Sequence, residues 1–477
     1  MNTRVNLNPL FSLKGMLLAS LLLGAILSVV TEQIYFIGLG PIVLLMIAGL
    51  RNIRFIYFLL IACIPFSAEL QVTETLGTDF PDEPIMWFLS LLVFFHFLIY
   101  RDKIGSIKIN KWIFSLLLLH LGWILVSSLL SENPILSIKY LAAKSWYILA
   151  FCLGTWYCLD FRKNINRLVT VLMVPMCLVV SMIIFRHFQN GFSFDSVNNV
   201  VQPFFRNHVN YGAFLVCLLP LAIAGYLLSQ KLRWLFALII VLFLGALFLS
   251  YSRGAWMALP AGVLTVWAMR KKVLPWLAGG SIFLFAAAIL YLSYGNRYLN
   301  YRPDFERTIY HQQFSDHLRA TYRLTDLSTA ERFHRWIGGV RMTDGHLLHG
   351  YGPNGFYYAY KPFTVSAFQT YVSVNEERST VHNYFLLLLI EQGIPGLVIF
   401  LLLLGVLFYF AHQWYHTASD KRERIYAATV TAILGMIVSL NLLSDLVETD
   451  KIGGLFFLCV GILLTRQTSN RTVLPGN

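Results

Sequence analysis

The chain has 477 residues, 57% of them hydrophobic and only 13% charged, with a mean hydropathy of +0.63. A soluble domain carries about a quarter charged residues, so this balance excludes an ordinary soluble enzyme. The formal net charge of +13 does not call for nucleic acid, because basic residues of membrane chains gather on one side of the bilayer.

Successive apolar stretches of roughly 18 to 22 residues can cross a hydrocarbon core of about 30 Å. Helices satisfy their own backbone in lipid, so the fold class is all-α: a polytopic helical membrane protein. Fourteen spans are predicted, at 12–30, 34–50, 55–67, 85–100, 112–130, 136–158, 168–186, 208–228, 234–251, 255–269, 274–293, 383–411, 425–443 and 452–465. A short or re-entrant pair would bring the number to twelve. The segment Met16 to Val30 has no small-x-small cleavage site and reads as a retained first span. All six cysteines sit in apolar segments and none forms a CxxC pair. They are expected to be small buried hydrophobes, with no disulfide framework and no zinc site.

With the N-terminus placed inside, alternate connections collect 21 of the 37 basic residues, from Arg4 and Lys14 to Arg466 and Arg471. The acidic stretch "ELQVTETLGTDFPDEP" (69–84) then falls outside. The positive-inside rule therefore predicts both termini in the cytoplasm and an even span count. Three regions follow: residues 1–293 with eleven spans, a long external loop at 294–381, and residues 382–477 with the last spans and the cytoplasmic end.

A connection this long usually carries function. The loop holds ten Lys and Arg against eight acids, with many aromatics. In "DLSTAERFHRWIGGVRMTDGHLL" (326–348), Ser328 and Thr329 ahead of Glu331 mark a helix start. "HGYGPNGF" (349–356) reads as a turn. Short amphipathic helices near the membrane surface are expected, rather than a separate globular domain.

Polar groups meet apolar spans at three places on the predicted outer side. "FFRNHVNYGAF" (204–214) brings Arg206, His208 and Asn210 to the start of the eighth span. "LSYSRGAW" (249–256) is a tight turn holding Arg253. "STVHNYFLLLLIEQGIPG" (379–396) opens with His382 and Asn383 and carries Glu391 deeper in. An arginine at a membrane boundary often does no more than snorkel to headgroups. Two on one face also suit a diphosphate, because the planar guanidinium matches a pair of phosphate oxygens.

His382 is either structural or a proton acceptor. Following Ser379 and Thr380, it is expected in the first turn of a helix, where the dipole favours a neutral ring. Such a ring can take a proton from a sugar hydroxyl. Glu391 lies nine residues on, about 13 Å deeper at 1.5 Å per residue and on the opposite helix face. With Gly393, Pro395 and Gly396 behind it, its expected role is to hold a broken helix. His346 and His349 stand at i, i+3 but lack a third ligand nearby in sequence, so no metal and no cofactor is expected.

The stretches "RNHVNYGAFL" (206–215), "SYSRGAW" (250–256), "ERFHRWIGGVRMTDGHLLHGYGPNGF" (331–356) and "HNYFLLLLIEQGIPG" (382–396) resemble the O-antigen ligase / O-antigen polymerase superfamily of bacterial envelope glycosyltransferases. The resemblance covers roughly residues 200 to 400. His349 departs from the family's usual turn, and fourteen spans exceed its usual count of about twelve. It implies a GT-C-like, metal-independent, inverting transferase in the bacterial inner membrane, with its site facing the periplasm. Its partners would be a glycan donor on undecaprenyl diphosphate and an acceptor such as lipid A-core, within the lipid bilayer and without nucleic acid. By position, Arg206 and Arg253 would hold the diphosphate and His382 would activate the acceptor hydroxyl. Arg332, His208, Asn210, Asn383 and Glu391 would support the site.

Within the superfamily, a polysaccharide polymerase or a protein O-oligosaccharyltransferase stays open. A lipid-linked glycan transporter is the alternative of another class. It would place charges in the middle of many spans, whereas here most span interiors are bare. A purely structural subunit would not need Arg206, Arg253 and His382 on one face.

Overall fold

The computed structural model describes residues 47–73, 76–99, 109–300, 327–364 and 380–465, together with Leu23 and Ile26. The expected span 12–30, most of 34–50, both termini and the loop stretches 301–326 and 365–379 lie outside the described residues.

The chain is a polytopic helical membrane protein. The principal helices are α1 (Ile53–Cys63), α2 (Asp82–Ile99), α3 (Lys111–Leu129), α4 (Pro134–Cys158), α5 (Phe161–Gln189), α6 (His208–Leu228), α7 (Arg233–Leu249), α8 (Arg253–Arg270), α9 (Leu274–Ser293), α10 (Leu327–Met342), α11 (Tyr384–Thr417), α12 (Lys421–Asn441) and α13 (Asp450–Thr465). Among the described residues, eight helices are long and apolar enough to cross a membrane. Twelve of the expected spans coincide with α1–α9 and α11–α13.

Short polar side chains start several of these helices. The Asn110 Oδ1 accepts from the Trp112 and Ile113 amides, and Asn207 does the same for Asn210. Asn383 caps α11 and Asp420 caps α12. Each cap satisfies amides that a helix end leaves open, at a cost of about 1 kcal/mol when lost.

Two helices run longer than expected. Arg162, Lys163 and Arg167 were expected in a connection, yet α5 starts at Phe161 and includes them. The Arg167 guanidinium stacks 4.6 Å over the Phe58 ring, so that turn is packed rather than loose. Helix α11 extends to Thr417 and breaks at Gly393 (φ 70°, ψ −172°). A Cβ there would come 2.4 Å from the Leu348 carbonyl oxygen, so only glycine fits the break.

The acidic stretch 69–84 is not a plain loop. Its first part pairs as an antiparallel hairpin, β1 (Ala68–Thr73) with β2 (Leu76–Phe80), setting Glu69 opposite Asp79. Asp82 and Glu83 then open α2 with acid in its first turn, the favourable end for negative charge.

Helix α12 is the hub and packs on α6, α8, α11 and α13. Helix α13 lies against a wide π-helical turn of α4, Ile148–Leu153. Helix α10 packs on α11. The starts of α6, α8, α11 and α13 and the end of α12 thereby share one end of the bundle.

Candidate active site

The site end is built around the connection from α12 to α13, residues 442–449, which the sequence motifs did not single out. On one side of it stands His382, on the other Arg206.

Asn383 is fully buried and ties the α11 start to this connection. Its Oδ1 accepts from the Leu386 amide at 2.9 Å, while its Nδ2 donates to the Leu442 carbonyl at 2.9 Å. The Tyr384 amide donates to the Ser444 carbonyl. His382 was expected in the first helical turn. Because Asn383 is the cap, His382 lies before the helix, with φ at 53°. That left-handed backbone is uncommon for a residue with a Cβ and is often found at functional positions.

The His382 Nδ1 faces the Asp445 carboxylate at 3.9 Å, and about a third of its side chain (35%) stays exposed. Its amide takes the Thr380 hydroxyl oxygen as acceptor at 3.2 Å. Burial first, then Arg335 and Arg332, lower its pKa from 6.5 to about 3. Burial and then the neighbouring cations favour the neutral ring, which lies ahead of the helix rather than in its first turn. Burial raises the Asp445 carboxyl from 3.8 to about 6, a rise held back by its bond to Thr380.

Both arginines come from α10. The Arg332 Nε donates to the Leu443 carbonyl at 3.2 Å. Arg335, one turn on, is 2% exposed and donates to the Thr380 carbonyl. Arg335 and Asp445 were not among the expected site residues. The spacing of Arg332 and Arg335 at i, i+3 on one helix face was the available signal.

Arg206 lies just before α6 and forms a forked ion pair with Glu69 on β1, at 2.9 Å for the closest approach. Asn210, with Arg206, lines a cleft of about 540 Å³. Its other walls bring Glu69, Asp79, Glu83, Glu448, Asp450 and Lys451 together. Carboxylates outnumber cations there. Burial, then Asp450, push Asp79 up to about 7, and Lys451 opposes the shift. Glu448 accepts from the Lys144 ammonium and the Tyr140 hydroxyl, each at 2.9 Å. The buried Lys144 thus anchors the connection to α4.

His208 bonds through its amide and Nδ1 to the Asn198 side-chain oxygen, at 3.0 and 2.7 Å. Its ring meets Phe194, which in turn meets Tyr251. Tyr251 donates to the Phe192 carbonyl at 2.8 Å. This chain of contacts joins the α6 start to the turn before Arg253, the first residue of α8. Gly212 makes that approach possible, since a Cβ there would fall 2.7 Å from the Ser252 Cβ.

Glu391 sits apart, in the buried part of α11. Its Oε1 accepts from the Phe356 amide at 3.1 Å, and the Asn354 amide also bonds to it. The Tyr351 and Gly352 amides donate to the Ile390 and Glu391 carbonyls, and the Ile394 amide to Leu347. Serines from α3 and the turn after it complete the cradle: Ser127 reaches the His349 carbonyl and Ser131 that of Tyr351. The 347–356 turn thus fills the break in α11. His346 stacks on Tyr351, with ring centroids 4.0 Å apart.

The geometry sets the His382 imidazole among Arg332, Arg335 and Asp445, with the acid-rich cleft on the other side of the 442–449 connection. It brings His382, Arg332 and Asn383 together and puts Arg206 and Asn210 across the 442–449 connection. A comparison with curated proteins finds none that matches. Residues 236–401 match the family model described as O-antigen ligase. That stretch includes Arg253, Arg332, Arg335, His382 and Glu391, and over it the chain is similar to O-antigen ligases.

Proposed function

We propose that the protein is a ligase-type glycosyltransferase that moves a glycan from undecaprenyl diphosphate to lipid A-core on the periplasmic side of the inner membrane. The observation that carries this reading is His382, facing Asp445 through Nδ1 at 3.9 Å, with burial first and then Arg335 and Arg332 disfavouring its protonation.

In the proposed step the acceptor oxygen attacks the anomeric carbon, and the bond from that carbon to the diphosphate oxygen breaks. The acceptor proton passes to His382 Nε2, since Nδ1 is turned to Asp445. Asp445 stabilises the imidazolium that forms, as a carboxylate does behind other catalytic histidines. Arg206 and Arg253 hold the diphosphate and take up the charge growing on it as it leaves. The sugar is transferred with inversion. Sugar hydroxyls suit the carboxylates on the walls of the cleft that Arg206 lines. Asn383 and Arg332 position the α11 start, Asn210 lines the cleft, His208 holds the α6 start, and Glu391 holds the break in α11.

The test is reconstitution with an undecaprenyl-diphosphate-linked glycan and three acceptors in parallel: lipid A-core, a second lipid-linked repeat unit, and a peptide hydroxyl. Transfer to lipid A-core alone supports the ligase. Exclusive transfer to either other acceptor reassigns the protein within the superfamily, and no transfer to any contradicts the transferase reading.

A further inference from the structure

At the bundle end opposite the candidate site, a second groove of about 720 Å³ opens between α5, α6, α12 and α13. Helix α6 links the two ends: His208 stands near the site and Leu228 lines this groove, about 30 Å away at 1.5 Å per residue. The groove therefore has no part in the chemistry proposed above.

Its walls are apolar, with Leu172, Leu221, Ile433 and Leu458 among them. Two cations, Lys231 and Arg422, stand at its edge, both exposed, and no carboxylate lines it. The nearest acids in sequence are Asp420, which caps α12 by accepting from the Glu423 amide at 2.7 Å, and Glu423 in the first turn of α12, and neither lines the groove. Three of the polar wall residues turn to nearby backbone. The Thr429 and Thr170 hydroxyls donate to the Ile425 and Asn166 carbonyls, and Ser229 Oγ accepts from the Leu232 amide. The charge that the groove offers a ligand is thus positive and lies at its mouth.

An apolar hollow of this volume is far larger than the voids of a packed interior and falls in the range of small-molecule sites. In a membrane the matching occupant has an acyl chain for the walls and an anionic head for the two cations. We infer that this groove is a binding site for an anionic phospholipid, its headgroup phosphate between Lys231 and Arg422 and an acyl chain along Leu221 and Ile433. The seated chain packs α5 to α12 and α13 where the helices leave a gap.

The test is native mass spectrometry of the delipidated full-length protein titrated with phosphatidylglycerol or phosphatidylcholine. Wild type should bind the first more tightly by on the order of tenfold, as expected for two cations near an anionic lipid. Lys231→Ala with Arg422→Ala should remove that preference, and Leu221→Trp should lower binding of both lipids by filling the groove. Equal binding of the two lipids by wild type, or an unchanged preference in the double variant, would overturn the assignment. The double variant changes only exposed side chains, so it decides the matter even where the tryptophan variant does not fold.

Discussion

Arg206 presents Nε and Nη2 to the two carboxylate oxygens of Glu69 at 2.9 to 3.2 Å, the forked geometry that a phosphate oxygen pair would also accept. The hairpin that carries Glu69 thereby occupies the guanidinium that the proposed donor needs. If donor binding exchanges one anion for the other, Glu69 competes with substrate. Glu69→Gln should lower the donor KM severalfold with little change in kcat. Both side chains are well exposed, 71% and 43%, so stability should change by no more than about 1 kcal/mol. Arg206→Ala should raise the donor KM, and Arg206→Lys should restore it only in part because the fork is lost. Initial rates against donor concentration check all three.

The pH dependence should report Asp445 rather than His382. Burial and the two arginines lower the imidazole to about 3, so it stays unprotonated throughout the accessible range. Asp445 titrates near 6 and loses its charge below that, so transfer should fall as pH drops through about 6. In Asp445→Asn the rate should be lower at neutral pH and the acid limb near 6 should vanish. Stability behaves differently. The raised Asp445 pKa favours the fold below 3.8, a contribution lost as pH rises through about 6. The depressed His382 pKa acts the other way, with stability present above 6.5 and lost as pH falls toward 3. Rate profiles and thermal unfolding over this window separate the two.

Glu391 should matter for folding more than for transfer. Glu391→Ala leaves the Phe356 and Asn354 amides without their acceptor in a buried setting, at about 1–3 kcal/mol. Glu391→Gln keeps one acceptor oxygen and should lose less. Thermal unfolding in detergent, beside the rate of the surviving folded fraction, distinguishes a fold role from a chemical one.

Gly393 should tolerate no side chain. Its φ of 70° with ψ of −172° is accessible to little but glycine, and the clash with the Leu348 carbonyl adds to about 1–3 kcal/mol of backbone strain. Gly393→Ala should sharply reduce monodisperse protein in size-exclusion chromatography, while Ala at exposed Gly245, where a Cβ meets nothing within 4 Å, should not.

Hydropathy made the helices legible. The spans from 55–67 onward appear as helices because a run of apolar residues in lipid has few other ways to satisfy its backbone. The pairing of helix ends also followed, since alternation places the starts of α6, α8 and α11 together. What hydropathy could not show was the polar detail between spans. Glu69 and Asp79 read as loop acids because their hairpin is too short for a periodic signal. Asp445 and Glu448 lie in an eight-residue connection whose importance arises only from packing against His382 and Lys144. Arg335 was one basic residue among ten in the long loop, marked in sequence only by its i, i+3 spacing from Arg332 and set apart in the structure by its burial. His382 was expected inside the first helical turn but precedes the helix, because Asn383, rather than Ser379 or Thr380, supplies the cap.

His382 is the group proposed to take the acceptor proton, and the initial rate of glycan transfer in proteoliposomes tests this most directly. Wild type and His382→Ala, matched for inserted protein and given the same lipid-linked glycan and lipid A-core, should differ by at least about a hundredfold, the scale of a lost general base. Transfer by His382→Ala at the wild-type rate would contradict the assignment.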